Sequence, residues 1–481
     1  MKQHQVAIFL LLIAILAIGI FYQYPMIWQL QPQGAHLWRQ SDCMAMTQNY
    51  QQFHLSFLQP ATYNLQSTNG NVAGEFPIFY YVAAQFPNSA FALRILHSMI
   101  FLSGIFATYF IAFYFLQRRL LSLFCSVLMF TSPLLVFYGN NFLSDVPALS
   151  FAIIGWAIFL HHYKKEHLFW LFSAFACFAF ATLLKASEAI HFAIAFILII
   201  KTRKPNLKLL LPFSFLIIPL FWYYYAKSYN KTNHDSYYFL SVFPIWKLSL
   251  QEIGLGVWRI VMSNSKNYFW RPTSILLVIG TYFLIKRKKK LGDELGVLIL
   301  NSFIVTTLYV VFFYQKMIAH EYYYIPFFAF VLFGIIGLLK IYNAYHAENI
   351  FAHSFAYIFL IINIIYCKKF VEEKLTIPLC NGYLSSNEMQ LFLEKNGVTK
   401  YKSIISLPDD TPNKTLYQLK RKGYTEFNKY PEDENYRNLI KYHQADFLLV
   451  DSNYMSKHIL IKSYLKDSIG SFKGFILYKI N

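Results

Sequence analysis

Residues 6–24 read VAIFLLLIAILAIGIFYQY and contain no charged side chain. A run of this length matches the roughly 20 apolar residues that an α-helix needs to cross the hydrocarbon core of a bilayer. A short basic start, Met1-Lys2, precedes it, and Gln23-Tyr24-Pro25 follows where a signal peptide would carry a cleavage site of small residues. We therefore expect this segment to be an uncleaved first membrane span.

The rest of the chain repeats the pattern. Further apolar runs of spanning length lie near 91–116, 120–138, 147–163, 167–184, 187–200, 208–226, 273–285, 293–314, 322–340 and 350–367. Hydrophobic residues make up 56% of the 481 positions and charged residues only 14%, against about 25% charged residues in soluble domains. The sequence predicts a mainly α membrane protein, a multi-span helical bundle of about 11 transmembrane helices.

The basic residues indicate how these spans are oriented. They cluster in alternate short links, at Arg118-Arg119, Lys164-Lys165, Lys201 to Lys208, Lys286 to Lys290 and Lys340. With the N-terminus inside, every cluster falls on the cytoplasmic side, as the positive-inside rule requires. With an odd number of spans, we expect a multi-pass membrane protein whose tail lies on the non-cytoplasmic side. The net charge of +19 forms no single patch interleaved with stacking aromatics, which excludes nucleic acid as a partner.

Composition divides the chain into a transmembrane domain, 1–367, and a small soluble α/β domain, 368–481. The outer loop 25–90 is largely semi-apolar, and the outer loop 227–272 has helical character around 246–262, so we expect both to have segments lying at the membrane surface. In the tail we predict strands at 402–407, 447–451 and 475–480, and helices near 414–422, 433–443 and 457–467.

The densest group of reactive side chains is His36-Leu-Trp-Arg-Gln-Ser-Asp42, shortly after the first span. Its Arg39 suits phosphate because a guanidinium offers a planar fork of donors, and Asp42 is able to accept a proton from a hydroxyl or amine. The structural alternative is that Ser41 or Asp42 caps a helix beginning at Cys43.

Other polar motifs lie at the outer ends of the predicted spans, and each has a structural alternative. Glu75 in Gly74-Glu-Phe-Pro77 and Asp145 in Asn140-Asn-Phe-Leu-Ser-Asp145-Val-Pro147 also suit the first turn of a helix. Lys185 and Glu188 are spaced to pair with each other. The tyrosines of His320-Glu-Tyr-Tyr-Tyr324-Ile-Pro326 are typical of an aromatic belt. A carboxylate near hydrocarbon costs about 2.5–3.5 kcal/mol at a helix centre, so functional roles stay open for all of them.

The order of these motifs resembles that of bacterial glycosyltransferase family 39. In this chain the order is His-x-Trp-Arg-Gln-x-Asp, Glu-Phe-Pro, Asn-Asn-Phe-x-x-Asp-x-Pro and His-Glu-Tyr-Tyr-x-x-Pro. That family belongs to the GT-C superfamily, together with protein O-mannosyltransferases and the lipid A aminoarabinose transferase. The tail, with Leu407-Pro-Asp-Asp-Thr-Pro-Asn-Lys-Thr-Leu and Gly423-Tyr424, is similar to tails of the same group.

The resemblance implies a GT-C fold, a polyprenyl-phosphate sugar donor and an inverting single displacement on the periplasmic face. It implies Asp42 as the catalytic base and Arg39, His320 and Lys185 as ligands of the donor phosphate. The implied substrate pocket comprises His36, Trp38, Gln40, Glu75, Asn140, Asn141, Asp145, Glu321 and Tyr322. The mannosyltransferases carry an Asp-Glu pair in this loop, whereas Cys43 follows Asp42 here, which argues against Ser/Thr mannosylation.

The acceptor, whether lipid, glycan or protein, is left open, and membrane lipids are the surrounding partner. No cofactor is required by the sequence, although a divalent cation near Asp42 or Asp145 stays open. The five cysteines, at 43, 125, 177, 367 and 380, show no metal spacing, and a Cys367–Cys380 disulfide is left open. Two other functions remain: a transporter or flippase for lipid-linked sugars, and a polysaccharide polymerase or ligase of a different fold.

Overall fold

The computed structural model describes residues 2–203, 206–235, 237–238, 241–346, 350–377, 382–427, 445–457, 465 and 468–480. Its residues group into two compact units, each assembled from three stretches of chain. The membrane unit comprises Met1–Gln29, Arg94–Trp222 and Ser241–Lys374. The mixed unit comprises Leu30–Leu93, Tyr223–Leu240 and Leu375–Asn481. The amino-acid composition changes at residue 367. By contacts between residues, however, much of the first outer loop belongs to the same unit as the tail.

The membrane unit is helical, as expected where backbone groups have no water to bond and must satisfy each other. Its α-helices are Lys2–Phe21, Tyr24–Ile27, Arg119–Met129, Pro133–Gly139, Asp145–His162, Leu168–Leu184, Ile190–Thr202, Leu207–Leu210, Leu250–Trp258, Ser265–Tyr268, Arg271–Lys286, Asp293–Ala319, Phe328–His346 and Ile350–Leu375. Two more, Ser89–Leu116 and Ile217–Thr232, begin among the residues of one unit and end among those of the other. All eleven predicted apolar runs are helical.

The described residues contain seven helices long and apolar enough to cross a membrane, or up to nine if each of two bent pairs is one span. About eleven spans were expected, to within about two, and the upper count of nine falls at the edge of that range. The difference lies in Leu168–Leu184, with 17 residues, and Ile190–Thr202, with 13. At 1.5 Å per residue both are shorter than the roughly 30 Å hydrocarbon core. A break around the 3₁₀ turn Ala186–Ala189 shortens them, which apolarity alone does not reveal.

The predicted run 120–138 forms one of the bent pairs. Its two helices, Arg119–Met129 and Pro133–Gly139, meet at 68°. Pro133 begins the second helix because a proline has no N–H to continue the first. The hydroxyl of Ser132 accepts a hydrogen bond from the Leu135 amide and caps the new helix.

The mixed unit contains a five-stranded sheet in the order β2-β1-β3-β5-β4. The strands are β1 Ile404–Leu407, β2 Gly423–Tyr424, β3 Phe447–Asp451, β4 Ser468–Phe472 and β5 Phe475–Lys479. Strands β2, β1 and β3 are parallel, and β5 is antiparallel to β3 and β4. The α-helices wholly within this unit are Leu37–Phe53, Ile78–Ala83, Asn387–Lys395, Lys414–Leu419 and Ser452–Lys457.

The predicted mixed tail is confirmed in its three main strands, β1, β3 and β5, and in the helix Lys414–Leu419. The predicted helices near 433–443 and 457–467 lie almost entirely outside the described residues. Cys380 also lies outside the described residues, so the Cys367–Cys380 disulfide stays a prediction. Residues Leu250–Trp258 confirm helix in the second outer loop, where Ser249 and Glu252 form a capping box. Placement of the outer-loop helices at the membrane surface stays a prediction.

The first outer loop joins the edge of this sheet beside β2. The amide of Gly423 donates to the Tyr63 carbonyl at 2.9 Å, and the Leu65 amide donates to the Gly423 carbonyl at 2.8 Å. A Cβ at position 423 would lie 1.7 Å from the Ile404 carbonyl oxygen, so only glycine fits between these backbones. Loop and tail are therefore one folded structure.

Candidate active site

Asp42 lies inside a helix and is almost completely buried. The helix Leu37–Phe53 begins six residues earlier than the capping alternative requires, after His36 in a left-handed conformation with φ of 54°. Neither Ser41 nor Asp42 therefore caps it, and that alternative is wrong. Asp42 is 2% exposed. A carboxylate buried within a helix, rather than at its end, requires other partners.

Arg39 supplies the first of these partners. It stands one helical turn before Asp42, and its Nη1 lies 3.6 Å from Asp42 Oδ2. Its Nη2 donates to both oxygens of Glu75, at 3.0 and 2.7 Å. The structure therefore brings together Arg39, Asp42 and Glu75, and Glu75 is bound to an arginine rather than acting only at a helix terminus.

Two residues that the sequence analysis missed complete the surroundings of Asp42. Tyr238 Oη donates to Asp42 Oδ1 at 3.0 Å, and Asn413 Nδ2 donates to the same oxygen at 2.9 Å. Oδ2 is buried and accepts no hydrogen bond from the residues that the structure describes, since the approach of Arg39 is too long for one. One oxygen is thus held in place and the other retains its lone pairs.

Burial raises the pKa of Asp42 from its ordinary 3.8 to about 6, against the opposing effects of Arg39, Asn413 and Tyr238. The helix that carries Asp42 is not among the candidate spans. A carboxylate with a pKa near 6 is ionised at neutral pH yet is a stronger base than an exposed one. Such a group is suited to removing a proton from an attacking hydroxyl or amine.

This pKa predicts a pH-dependent stability. Because the native pKa of about 6 exceeds the unfolded value of 3.8, the native state holds the proton more tightly, and stability falls as pH rises from about 4 to 6. The full effect is about 3 kcal/mol. Asp42→Asn removes the ionisation, so its Tm relative to wild type should rise over this pH window. Thermal unfolding between pH 4 and 8 measures this, and a difference in Tm that does not change with pH would contradict it.

In the membrane unit, Lys185 and Asp145 form an ion pair. Lys185 Nζ lies 3.0 Å from Asp145 Oδ1, and the two side chains are 13% and 4% exposed. The same ammonium lies 5.6 and 5.5 Å from the ring centres of Tyr322 and Tyr323. Asp145 is the first residue of its helix and Ser144 provides no side-chain cap. The structure brings Lys185, Asp145 and Tyr322 together, while their roles at the donor phosphate and in the substrate pocket stay predictions.

His320 and Glu321 follow the helix Asp293–Ala319. The His320 ring stacks on Tyr322 with centroids 5.4 Å apart and an angle of 11° between the planes. Glu321 accepts hydrogen bonds from Tyr138 and Asn267, each at 3.0 Å, and pairs with Lys374. These partners come from three other segments of the unit, so Glu321 holds helices together.

The remaining predicted pocket residues lie in local turns or bond to neighbouring segments. Asn140 Oδ1 accepts from Ser98 at 3.0 Å, and Asn141 Oδ1 accepts from the Phe142 amide at 2.6 Å. Gln40 Nε2 donates to the carbonyls of Gln33 and Ala35, which folds the loop before the helix. His36 supplies the turn into that helix, and Trp38 is half-buried in its first turn. Asn140 Nδ2 finds no acceptor among the described residues.

The structure also contains a buried hydrogen-bonded chain of Trp156, His191 and Glu188 that the sequence analysis did not predict. Trp156 Nε1 donates to His191 Nδ1 at 2.8 Å, and His191 Nε2 lies 2.9 Å from Glu188 Oε2. Because Trp156 is a donor only, Nδ1 is the accepting nitrogen and the proton is on Nε2. His191 and Glu188 are 1% and 0% exposed. Glu188 is therefore hydrogen-bonded to His191, while Lys185 pairs with Asp145.

No cluster for a metal ion is present in the described part of the chain. No three His, Cys, Asp or Glu side chains converge there. Cys43, beside Asp42, is a buried thiol whose pKa burial raises to about 12, so it stays protonated. The divalent cation considered from the sequence gains no support from these side chains.

Tyr238 and Asn413 could not be identified from a motif. Tyr238 lies in a stretch of the second outer loop without a distinctive pattern. Asn413 lies in the turn-rich segment Leu407-Pro-Asp-Asp-Thr-Pro-Asn, which the sequence analysis noted only as typical of such tails. The repeated turn residues were the available signal that this loop has a defined shape.

Comparison with known proteins identifies the fold. No family model and no curated protein matches the sequence. Among solved structures, ArnT from Cupriavidus metallidurans in the apo state matches with a TM-score of 0.63, 11% identity and 98% of both chains covered. The same protein bound to undecaprenyl phosphate matches with a TM-score of 0.60, 10% identity and 98% of both chains.

A third match is the archaeal oligosaccharyltransferase AglB from Archaeoglobus fulgidus, in complex with an inhibitory peptide and a dolichol-phosphate. Its TM-score is 0.54 at 10% identity, covering 100% of this chain and 74% of that one. The chain is thus a multi-pass membrane protein with a GT-C-like fold, as the order of motifs predicted. At such low identity the likeness shows the fold alone, and membership of family 39 stays a prediction.

Proposed function

We propose that this protein is a membrane glycosyltransferase that moves a sugar from a polyprenyl-phosphate donor to a lipid, glycan or protein acceptor. The observation that carries the proposal is Asp42, a buried carboxylate with one oxygen held by Tyr238 and Asn413 and the other without a hydrogen bond among the described residues. The acceptor's proton goes to Asp42 Oδ2. The acceptor atom bonds to the anomeric carbon while the bond from that carbon to the phosphate oxygen breaks.

The fold supports the same reaction class. Two of the matching structures hold a polyprenyl phosphate, one undecaprenyl phosphate and the other a dolichol-phosphate. A lipid phosphate is a good leaving group, so the reaction needs cations that stabilise the departing charge and a base for the acceptor. A single displacement from the face opposite the phosphate inverts the anomeric centre.

We assign the donor phosphate to Lys185 and His320. The Lys185 ammonium is held by Asp145 and two tyrosine rings, and His320 stacks on one of those rings. A lysine is a compact charge that suits phosphate oxygens. Arg39 is bonded to Glu75 and lies close to Asp42, so it compensates the charges of these two carboxylates. Phosphate binding by Arg39 stays a prediction.

We infer that the reaction occurs on the non-cytoplasmic face of the bacterial inner membrane. This rests on the alternation of basic and non-basic links between spans, the positive-inside pattern. The predicted pocket residues Glu75, Asn140 and Asp145 come from links or span ends assigned to the outer side. The GT-C-like fold argues against a polymerase or ligase of a different fold.

The direct test supplies purified protein with a panel of undecaprenyl-phosphate-linked hexoses and pentoses and an envelope extract as acceptor. Mass spectrometry should show one donor converted to undecaprenyl phosphate and a glycosylated product, with inverted anomeric configuration by NMR. The Asp42→Asn protein serves as the matched inactive control. A protein that moved lipid-linked sugars across vesicles without breaking the sugar–phosphate bond would instead be a transporter, and the proposal would be wrong.

A further inference from the structure

Asn413 precedes a short helix, but its side chain does not cap that helix. It is the N-cap residue of the helix Lys414–Leu419, yet its side chain makes no capping hydrogen bond. Asparagine at an N-cap normally accepts a bond from an amide of the first helical turn. The side chain of Asn413 is completely buried and directed elsewhere.

Asp409 performs the capping instead. Its Oδ2 accepts from the amide and the hydroxyl of Thr415, both at 2.7 Å, and its Oδ1 accepts from the amide and hydroxyl of Thr411, at 3.0 and 2.7 Å. Lys414 lies 3.6 Å from the same carboxylate. These bonds fix the conformation of the loop 409–415 without any contribution from the Asn413 side chain.

Both ends of the Asn413 amide have partners that define its orientation. Oδ1 accepts from the backbone amides of Tyr63 and Asn64, at 3.1 and 2.9 Å. Nδ2 donates to Asp42 Oδ1 at 2.9 Å and to Tyr238 Oη at 2.6 Å. Since two N–H groups face the oxygen end, only the amino end is able to face Asp42.

We propose that Asn413, contributed by the C-terminal segment, is a positioning residue that holds Asp42 Oδ1 so that Oδ2 receives the acceptor's proton. The proposal rests on the function proposed above and deepens it, because it gives the tail a part in the reacting site. The tail then cannot be removed without loosening the base.

The pKa of Asp42 depends on the charged and hydrogen-bonding groups that surround it. Arg39 on the same helix and the hydroxyl of Tyr238 face it directly, Cys43 is its neighbour in sequence, and Glu75 is held on the far side of Arg39. Arg39, Asn413 and Tyr238 all favour the ionised form. Losing the Asn413 donor should therefore make Asp42 harder to ionise.

The test is Asn413→Asp in the full-length protein. This change keeps an oxygen for the amides of Tyr63 and Asn64 and replaces the donor to Asp42 with an acceptor. We expect the acid limb of kcat/KM, measured with the donor that wild type uses, to move up by at least about one pH unit, the effect of one hydrogen bond to a charged group. The upper end of the pH window in which Tm declines should rise by the same amount, while the lower end, set by the unfolded state, stays near pH 4. Activity should recover above the new limb.

The matched control is Asn233→Asp, in the same unit, where Asn233 Oδ1 accepts from Asn71 and no contact to Asp42 exists among the described residues. Its acid limb should equal that of wild type. If Asn413→Asp does not fold, Asn413→Ala removes the same donor without adding a charge and should shift the limb in the same direction. An unshifted limb and Tm window in the folded variant would overturn the role of Asn413.

The two proposals fail in different ways. If Asp42→Asn transfers sugar normally, the base is wrong and the proposed function loses its main support, whatever Asn413 does. If Asp42→Asn is inactive and Asn413→Asp loses activity equally at every pH, then Asn413 is only structural and the function stands.

Discussion

Replacement of Asp42 with Asn should lower kcat for sugar transfer by about 10²–10⁴-fold, the usual contribution of a general base. Asparagine has the same shape and its amide oxygen still accepts from Tyr238 and Asn413, but it has no carboxylate to take up a proton. Donor binding should change little, because the residues assigned to the phosphate, Lys185 and His320, are untouched. Initial rates with saturating donor measure kcat, and binding of undecaprenyl phosphate measures the donor site.

The matched control is Asp446→Asn. Asp446 belongs to the same unit but is bonded to Lys402 and Ser403, and its side chain is 28% exposed. This variant should transfer sugar at close to the wild-type rate. A normal rate in the Asp42 variant would mean that another group removes the acceptor's proton.

Replacement of Arg39 with Met should lower the free energy of unfolding by about 3 kcal/mol at pH 7.5. Removing one partner of a buried ion pair costs about 3–5 kcal/mol because the remaining charge is left uncompensated. The lower value is expected because the side chains of Arg39 and Glu75 are 18% and 17% exposed. The loss should shrink near pH 5, where Asp42 takes up a proton.

A second substitution identifies the cause. Adding Glu75→Gln to Arg39→Met removes one of the two uncompensated carboxylates, so the double variant should be more stable than Arg39→Met alone. Arg203→Met is the matched control, because Arg203 and Glu166 form an exposed pair at 4.0 Å that should contribute no more than about 1 kcal/mol. Equal losses for Arg39→Met and Arg203→Met in denaturant or thermal unfolding would refute the buried ion pair.

Much of the fold was predictable because its cause is local. Each apolar run is helical since a segment of that composition has no alternative way to satisfy its backbone in a membrane. The strands β1, β3 and β5 were predicted within a few residues, because each is a short apolar run bounded by turn residues. The number of spans was predictable only to within about two, because helix breaks such as Ala186–Ala189 depend on how neighbouring segments pack.

The site was predictable only in part. Asp42, Arg39 and Glu75 were identified as reactive side chains, and the structure joins them directly. Lys185 and Asp145 are likewise brought together across 40 residues of chain. Glu321 and Gln40 are bonded to other helices and to the preceding loop, and their place in the pocket stays a prediction. From the sequence alone, a polar residue at the end of a span looks the same whether it lines a substrate pocket or bonds to other parts of the protein.

The run at 6–24 and those that repeat it determined, by hydrophobicity alone, that the chain is a multi-span helical membrane protein. Hydrophobicity is a property of each segment and needs no knowledge of its neighbours. The tertiary structure alone decided that Asp42 has one oxygen bound and one without a hydrogen bond among the described residues. That arrangement joins residues 42, 238 and 413, and burial of a carboxylate and its pKa depend on which distant groups surround it.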